Sequence, residues 1–155
     1  MLNEQNALPP TTAFGVIRNF VLRLLKPSPR GPVLVVDDEE AVRRFVERVL
    51  RDAGYKTAAA SNGHEAIEVA KQVGQLGGLV TDVQMPGMTG DELARVLRQS
   101  DPELKVLYLT GYSDRLFKGK ATLWADEAYL DKPCSVKALR EAVSLLLFGS
   151  VEAAS

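Results

Sequence analysis

Residues 33–40 read VLVVDDEE, a run of four apolar residues followed by four acidic ones. The apolar part is short and β-branched, and turn-forming residues border it, which predicts a strand buried on both faces. The acidic pair Asp37-Asp38 then falls where the strand ends. A polar cluster placed immediately after a buried strand indicates a site at the edge of a sheet.

Three other segments end in the same manner. Asp82 follows the run LVT at 79–81, Thr110 follows VLYL at 106–109, and Lys132-Pro133 follows shortly after AYL at 128–130. In an open parallel sheet the carboxyl ends of the strands face the ligand crevice. The sequence therefore predicts that carboxylates, a hydroxyl and an ammonium group meet at one edge of the sheet.

Helical patterns alternate with the predicted strands. A second strand is predicted at 55–59, and amphipathic helices are predicted at about 39–53, from the turn at 61–63 to 73, from 91 to before Pro102, and from the Ser135 cap to 148, with a weak helix at 113–124. Five strand–helix units are too few for an eight-unit barrel. They predict an α/β fold with a doubly wound, five-stranded parallel sheet.

The three aspartates suggest a metal. Carboxylates of Asp37, Asp38 and Asp82 in one cleft would repel one another unless a cation joined them. Mg2+ together with a phosphoryl group suits a site where the protein supplies only part of an oxygen shell, and Lys132 then serves as the counter-charge of the phosphate. The alternative is that Asp82 is a turn or helix-cap residue and that residues 37–39 only favour the start of a helix.

Composition excludes several classes of protein. A net charge of −1 provides no overall field for nucleic acid. The single cysteine, Cys134, and the single histidine, His64, exclude an internal disulfide and a cysteine- or histidine-rich metal site. Cys134 is interpreted as a small packing residue and His64 as an exposed residue of a first helical turn. No long apolar run or signal peptide is recognisable, and a reducing, cytoplasmic location is expected.

Residues 1–32 are predicted to form an extension made of a polar tail, an amphipathic helix at 13–26 and a proline-rich linker. Three basic residues on that helix are few for lipid binding, so protein contact is favoured over membrane contact. The last predicted helix ends in LLLF at 145–148, which is more apolar than one buried face requires. These two apolar surfaces are therefore predicted to make protein contacts; for 13–26 the alternatives are packing on the domain, a homodimer through both surfaces, or docking of another partner. Residues 149–155 are predicted to be a C-terminal tail.

Residues 33–148 resemble the receiver domain of two-component response regulators. The resemblance is carried by VLVVDDEE, ASNGHEAI, VTDVQMPGMTGDEL, VLYLTGYSD and AYLDKP, which occur in the family's order. It implies a flavodoxin-like sheet with strand order 2-1-3-4-5. The TGY and LDKP forms are most similar to stand-alone receivers and to receivers attached to hybrid histidine kinases.

The resemblance also implies the chemistry of the strand ends. Asp82 would accept a phosphoryl group from the phosphohistidine of a sensor histidine kinase or a phosphotransfer protein. Asp37, Asp38, Asp82 and the backbone carbonyl of Gln84 would hold Mg2+, and Lys132 would pair with a phosphate oxygen.

A conformational switch is implied as well. Thr110 would bond the phosphate through its hydroxyl, and the rotamer of Tyr129 would follow that movement. The peptide bond between Lys132 and Pro133 would be cis. The expected product is a switched protein-interaction surface, so the protein would be a signalling phosphoacceptor that catalyses its own phosphorylation and dephosphorylation, not a metabolic enzyme.

The sequence also departs from the family's pattern. Gly77-Gly78 stands where many receivers carry an aspartate, while Gln84 and Tyr112 lie where the family tunes the lifetime of its acyl phosphate. Because only 149–155 follow the last predicted helix, a stand-alone regulator is expected, with a hybrid-kinase receiver as the alternative. One alternative, a Mg2+-dependent aspartyl-phosphate phosphatase, would need a second acid at position 84. The other, an interaction module without phosphate turnover, would not need the polar residues Asp37, Asp38, Asp82, Thr110 and Lys132.

Overall fold

The computed structural model describes residues 29–111 and 126–149. The predicted polar tail, the predicted helices at 13–26 and 113–124, most of the C-terminal tail, and Tyr112 lie outside the described residues.

In the described part of the chain, five strands form one parallel sheet in the order β2-β1-β3-β4-β5. They are β1 (Val33–Val36), β2 (Thr57–Ala60), β3 (Gly78–Asp82), β4 (Val106–Thr110) and β5 (Glu127–Asp131). The predicted α/β class and strand order are confirmed. The predicted start of β2 at residue 55 is wrong, because the Tyr55 N–H donates to the carbonyl of Leu50 at 3.0 Å and so closes the preceding helix instead of joining the ladder.

Within residues 29–111 and 126–149, four helices accompany the strands: α1 (Glu40–Asp52), α2 (Gly63–Val73), α3 (Gly90–Arg98) and, after β5, α4 (Val136–Phe148). Each of the last three begins at a side-chain cap. Asn62 accepts from the Glu65 N–H, Thr89 and Glu92 cap α3 reciprocally, and Ser135 accepts from the Ala138 N–H. Because Thr89 is the cap, α3 starts at Gly90, one residue before the predicted start at Asp91.

The apolar core lies on both faces of the sheet, because side chains alternate along each strand. Leu34 and Val36 of β1 pack with α2 and α3, whereas Val33 and Val35 pack with α1 and α4. On β4, Tyr108 packs on the side of α2 and α3, and Leu107 packs on the side of α1 and α4. Both faces are therefore covered by helices, and the loops at the strand ends are left for a site.

Gly77, which lies directly before β3, has a packing role. A Cβ atom added to Gly77 would lie 2.3 Å from the Gly31 carbonyl oxygen, and the Gly77 N–H donates to the Pro32 carbonyl at 2.9 Å. The end of the proline-rich linker therefore packs closely against residue 77, at the amino-terminal edge of the sheet. That edge is opposite to the one where the polar residues gather.

Candidate functional site

Three aspartates converge at the carboxyl-terminal edge of the sheet. Asp37 and Asp38 directly follow β1, and Asp82 is the last residue of the neighbouring strand β3. One carboxylate oxygen of each lies within 4.8 Å of the others. Asp37 and Asp82 are only 1% and 5% exposed, while Asp38 faces solvent. The predicted convergence of these three residues is thus present in the structure.

The loop that carries Asp37 is held by the start of α1. The Asp37 carboxylate accepts a hydrogen bond from the Glu39 N–H at 2.9 Å through Oδ1. The Arg43 side chain, one turn into α1, donates from Nη1 to the Asp37 carbonyl at 2.8 Å. Arg43 was not predicted as a site residue, because its sequence position indicates only a helix face.

Lys132 lies between two of the carboxylates. Its Nζ is 3.0 Å from Asp37 Oδ2 and 3.3 Å from Asp82 Oδ1. Burial alone would lower the pKa of Lys132, but the hydrogen bond to Asp37 and the charges of Asp37 and Asp82 outweigh it, so the pKa is raised. The ammonium group stays charged and partly compensates the acidic pair. The peptide bond that follows, Lys132-Pro133, is cis, as the resemblance implied.

Asp82 has an unusual acidity for an aspartate. Burial raises its pKa from 3.8 to about 6, and the negative charge of Asp37 adds to that rise. Lys132 and a hydrogen bond from the Gln84 N–H act in the opposite direction. At neutral pH the group is therefore mostly a carboxylate with little hydration, which is a suitable state for a nucleophile.

Asp82 rests on a closely packed backbone. A Cβ atom added to Gly90, the first residue of α3, would lie 2.1 Å from the Asp82 carbonyl oxygen. The Gly90 N–H also donates to the Val83 carbonyl at 2.9 Å. The start of α3 can approach β3 this closely only because residue 90 is glycine. In the sequence, Gly90 is one glycine of a loop that precedes a predicted helix, and nothing there indicates this contact.

Thr110 and Tyr129 lie on neighbouring strands beside the acidic cluster. Thr110 is 7% exposed, and its hydroxyl donates to Asp131 Oδ1 at 2.8 Å. Tyr129 is half-buried and stacks on Tyr108, with ring centroids 5.1 Å apart. Asp131 was not predicted as a site residue, although it sits beside Lys132 in the LDKP segment.

The site suits a hard divalent cation. Its three acidic residues offer only oxygen ligands, and the Lys132 ammonium already lies against two of them, as expected where carboxylates need a positive charge. Asp37, Asp38 and Asp82 thus fit Mg2+. The Gln84 carbonyl stays a predicted ligand. Position 84 carries an exposed amide side chain, so no second acid follows two residues after Asp82.

The remaining singled-out residues have plain structural roles. His64 is exposed in the first turn of α2. Cys134 packs against the core next to α1 and α4, and burial raises its pKa, which disfavours the reactive thiolate. In the described ranges, 29–111 and 126–149, none of the helices has both the length and the apolar character needed to cross a membrane.

Comparison with known proteins links this geometry to a family. Residues 33–144 match the family model described as the response regulator receiver domain. A solved receiver protein from Sinorhizobium medicae WSM419 is 33% identical, with a TM-score of 0.67, over 76% of this chain and 94% of that one.

Two curated relatives from Brucella abortus differ in how much of them is matched. The sensor kinase CckA is 37% identical over 121 residues, which is 77% of this chain but 13% of the kinase. The response regulator receiver protein CpdR is 31% identical over 118 residues, which is 76% of this chain and 98% of that protein. The same fold unit thus occurs within a long kinase and as nearly a whole protein.

Proposed function

The chain belongs to the family of response regulator receiver domains, and from this premise we propose that it is the phosphoacceptor of a two-component phosphorelay, with Asp82 as the acceptor. The observation that carries the proposal is the contact between Lys132 and two buried carboxylates at the strand ends. That arrangement combines a nucleophile, a cation-binding pair and a counter-charge for phosphate. No single strand could supply all three.

In the proposed reaction, a carboxylate oxygen of Asp82 attacks the phosphorus of a phosphohistidine. The bond between that oxygen and phosphorus forms while the phosphorus–nitrogen bond breaks, and the electron pair leaves with the imidazole. Lys132 pairs with a phosphoryl oxygen and keeps the developing charge close to an ammonium group. The product is an acyl phosphate on Asp82.

Mg2+ is the proposed metal, held by Asp37, Asp38, Asp82 and the backbone carbonyl of Gln84. When bound, it supplies positive charge that offsets both the acidic cluster and the phosphoryl oxygens. The chain's own contribution is to position the acidic residues before the metal arrives. The Glu39 N–H and the Arg43 side chain bond to Asp37, and Lys132 contacts both Asp37 and Asp82.

The proposed partner is a sensor histidine kinase or a phosphotransfer protein, and the proposed location is the cytoplasm. A stand-alone regulator is proposed, with a hybrid-kinase receiver as the alternative; the matches to CpdR and CckA accommodate both. A homodimer through residues 13–26 and α4 also stays a prediction. Leu145, 49% exposed on α4, supports an apolar contact there, whereas 13–26 lies outside the described residues.

The phosphatase alternative is less well supported. Such an enzyme would use a second acid two residues after the nucleophile as a proton donor. Position 84 is glutamine, with a side chain that is exposed and not ionisable. The protein is therefore proposed to be a signalling switch that catalyses its own phosphorylation.

The proposal is tested with the full chain, Mg2+ and acetyl phosphate. Intact-mass measurement is expected to show one added phosphoryl group that hydroxylamine removes, since acyl phosphates react with that nucleophile. Asp82→Asn should abolish the gain, while Asp52→Asn, at the exposed end of α1, should retain it. A hydroxylamine-labile phosphoryl group on Asp82→Asn would show that the acceptor has been misassigned.

A further inference from the structure

The hydroxyl of Thr110 is already engaged. It donates to Asp131 Oδ1 at 2.8 Å, and the two residues are direct partners in the ladder between β4 and β5. A threonine hydroxyl carries one hydrogen and so donates to one acceptor at a time. Its bond to Asp131 and a bond to a phosphoryl oxygen on Asp82 are therefore mutually exclusive.

We propose that Asp131 is a positioning residue that holds the Thr110 hydroxyl toward β5 and so competes with the phosphoryl group for it. The inference rests on the proposed function, since it concerns the same acceptor site. It adds a residue of this chain that sets how readily the phosphorylated conformation forms.

The strand pairing fixes where this competition takes place. The Lys132 N–H donates to the Thr110 carbonyl at 2.8 Å, which ties the two strand ends through the backbone. The hydroxyl can then change its acceptor by rotation about χ1 while that backbone bond stays in place. The choice of acceptor is thus a side-chain event at the end of β4.

The same face of the sheet carries the aromatic pair. Tyr108 and Tyr129 are ladder partners two residues earlier, and they stack at 5.1 Å. Because side chains alternate along a strand, Thr110 and Asp131 are the next residues on that face. Asp131 therefore holds the Thr110 hydroxyl on the face of the sheet that carries the aromatic pair.

The charge of Asp131 sets the expected order of variants. A hydrogen bond to an ionised acceptor is roughly twice as strong as a neutral one. Asp131→Asn keeps an acceptor oxygen without the charge, and Asp131→Ala removes the acceptor. Affinity for a phosphoryl mimic should therefore rise from the unaltered chain to Asp131→Asn and further to Asp131→Ala.

The experiment measures the apparent Kd of beryllofluoride, in saturating Mg2+, for the full chain by calorimetry. Asp131→Ala should bind about three- to tenfold more tightly, as expected for the loss of one competing hydrogen bond. The same substitution is then made in a Thr110→Val chain, which has no hydroxyl to compete for, and there the gain should vanish. Asp52→Ala, at the exposed end of α1, is the matched control and should leave Kd unchanged.

Each result decides the inference. One contrary result is that Asp131→Ala increases the affinity for beryllofluoride equally in the chain that keeps Thr110 and in the Thr110→Val chain. That result would mean that the charge of Asp131 acts on the ligand directly, which overturns the positioning role. No gain, or a loss, with Asp131→Ala also overturns it, and Asp131→Asn settles the matter if the alanine variant fails to fold. If the unaltered chain does not bind beryllofluoride, the proposed function fails and the inference with it.

Discussion

Asp82 illustrates how burial and neighbouring charge act on one side chain. It is 5% exposed, and its removal from water raises its pKa, while Lys132 at 3.3 Å acts against that rise. The outcome is a carboxylate that the folded protein holds at a cost in stability. That cost is consistent with a site proposed to bind a cation and a phosphoryl group.

The raised pKa predicts how stability depends on pH. The pKa of Asp82 is about 6 in the folded protein, above the ordinary 3.8. Its contribution to stability is therefore fully present below about pH 3.8 and is lost as pH rises through about 6. At pH 7 the burial of the charged Asp82 carboxylate lowers the free energy of unfolding by about 3 kcal/mol. We expect Asp82→Asn to be more stable than the unaltered chain at pH 7 without metal, and the advantage to shrink toward pH 4.

Urea unfolding in the presence of a chelator, at several pH values between about 4 and 7, measures this difference. Glu103→Gln provides the control, since residue 103 is an exposed acid in the turn before β4. It should show no comparable pH-dependent advantage. A constant difference between Asp82→Asn and the unaltered chain over the whole range would contradict the assigned pKa shift.

At the scale of the elements, one arginine joins α3 to the neighbouring strands. Arg98 Nη1 lies 2.6 Å from Glu127 Oε1, and its other nitrogens donate to the Leu104 carbonyl at 3.0 and 3.1 Å and to the Asp126 carbonyl at 3.2 Å. Glu127 also accepts from the Tyr108 hydroxyl at 3.4 Å. The end of α3, the start of β4 and the start of β5 therefore depend on one guanidinium group.

Two arginines of α3 allow a matched comparison. We expect Arg98→Ala to lower the free energy of unfolding by about 2–3 kcal/mol, because Glu127, only 13% exposed, and two carbonyls would lose their donor. Arg95→Ala should change it by less than about 0.5 kcal/mol, because Arg95 is 75% exposed and its pair with Asp91 is 3.5 Å long.

Equilibrium unfolding in urea, with equal slopes for both variants, measures these changes. Equal losses for Arg98→Ala and Arg95→Ala would show that the partly buried network contributes no more than a surface ion pair. Loss of Arg98 should also loosen the Tyr108–Glu127 contact, which is next to the stacked Tyr129.

At the scale of the whole molecule, the two edges of the sheet have different roles. The amino-terminal edge receives the proline-rich linker at Gly77, and the carboxyl-terminal edge gathers the acidic cluster. A ligand at the acidic edge joins β1 and β3, which are central in the sheet. Its binding energy is therefore available to stabilise the entire fold and not merely a loop.

Mg2+ is accordingly expected to stabilise the folded chain. At ten times its Kd, a ligand specific for the native state raises the free energy of unfolding by about 1.4 kcal/mol. Asp38→Ala should reduce that increment at the same Mg2+ concentration, because the exposed carboxylate is free to join the cation. Unfolding curves with and without Mg2+ provide the measurement, and an equal increment in both chains would exclude Asp38 as a ligand.

The fold was largely predictable because local sequence patterns specify its strands and helices. Short β-branched runs such as 33–36 indicated buried strands, and the turn at 61–63 and the cap Ser135 marked the starts of helices. The boundary of β2 was not predictable, since it depends on whether the Tyr55 N–H bonds to α1 or to the sheet. Both choices suit the same residues, and only the packed structure decides between them.

The sequence by itself determined the five-stranded parallel fold and placed Asp37, Asp38, Asp82, Thr110 and Lys132 at strand ends, because strand direction alone brings carboxyl ends to one edge. Only the tertiary structure decided that Lys132 contacts two carboxylates, that Gly90 lies against Asp82, and that Thr110 donates to Asp131. These contacts depend on strand register and on distances of a few ångströms between residues far apart in the chain. Periodicity specifies which face a side chain occupies, whereas packing specifies which atom it meets.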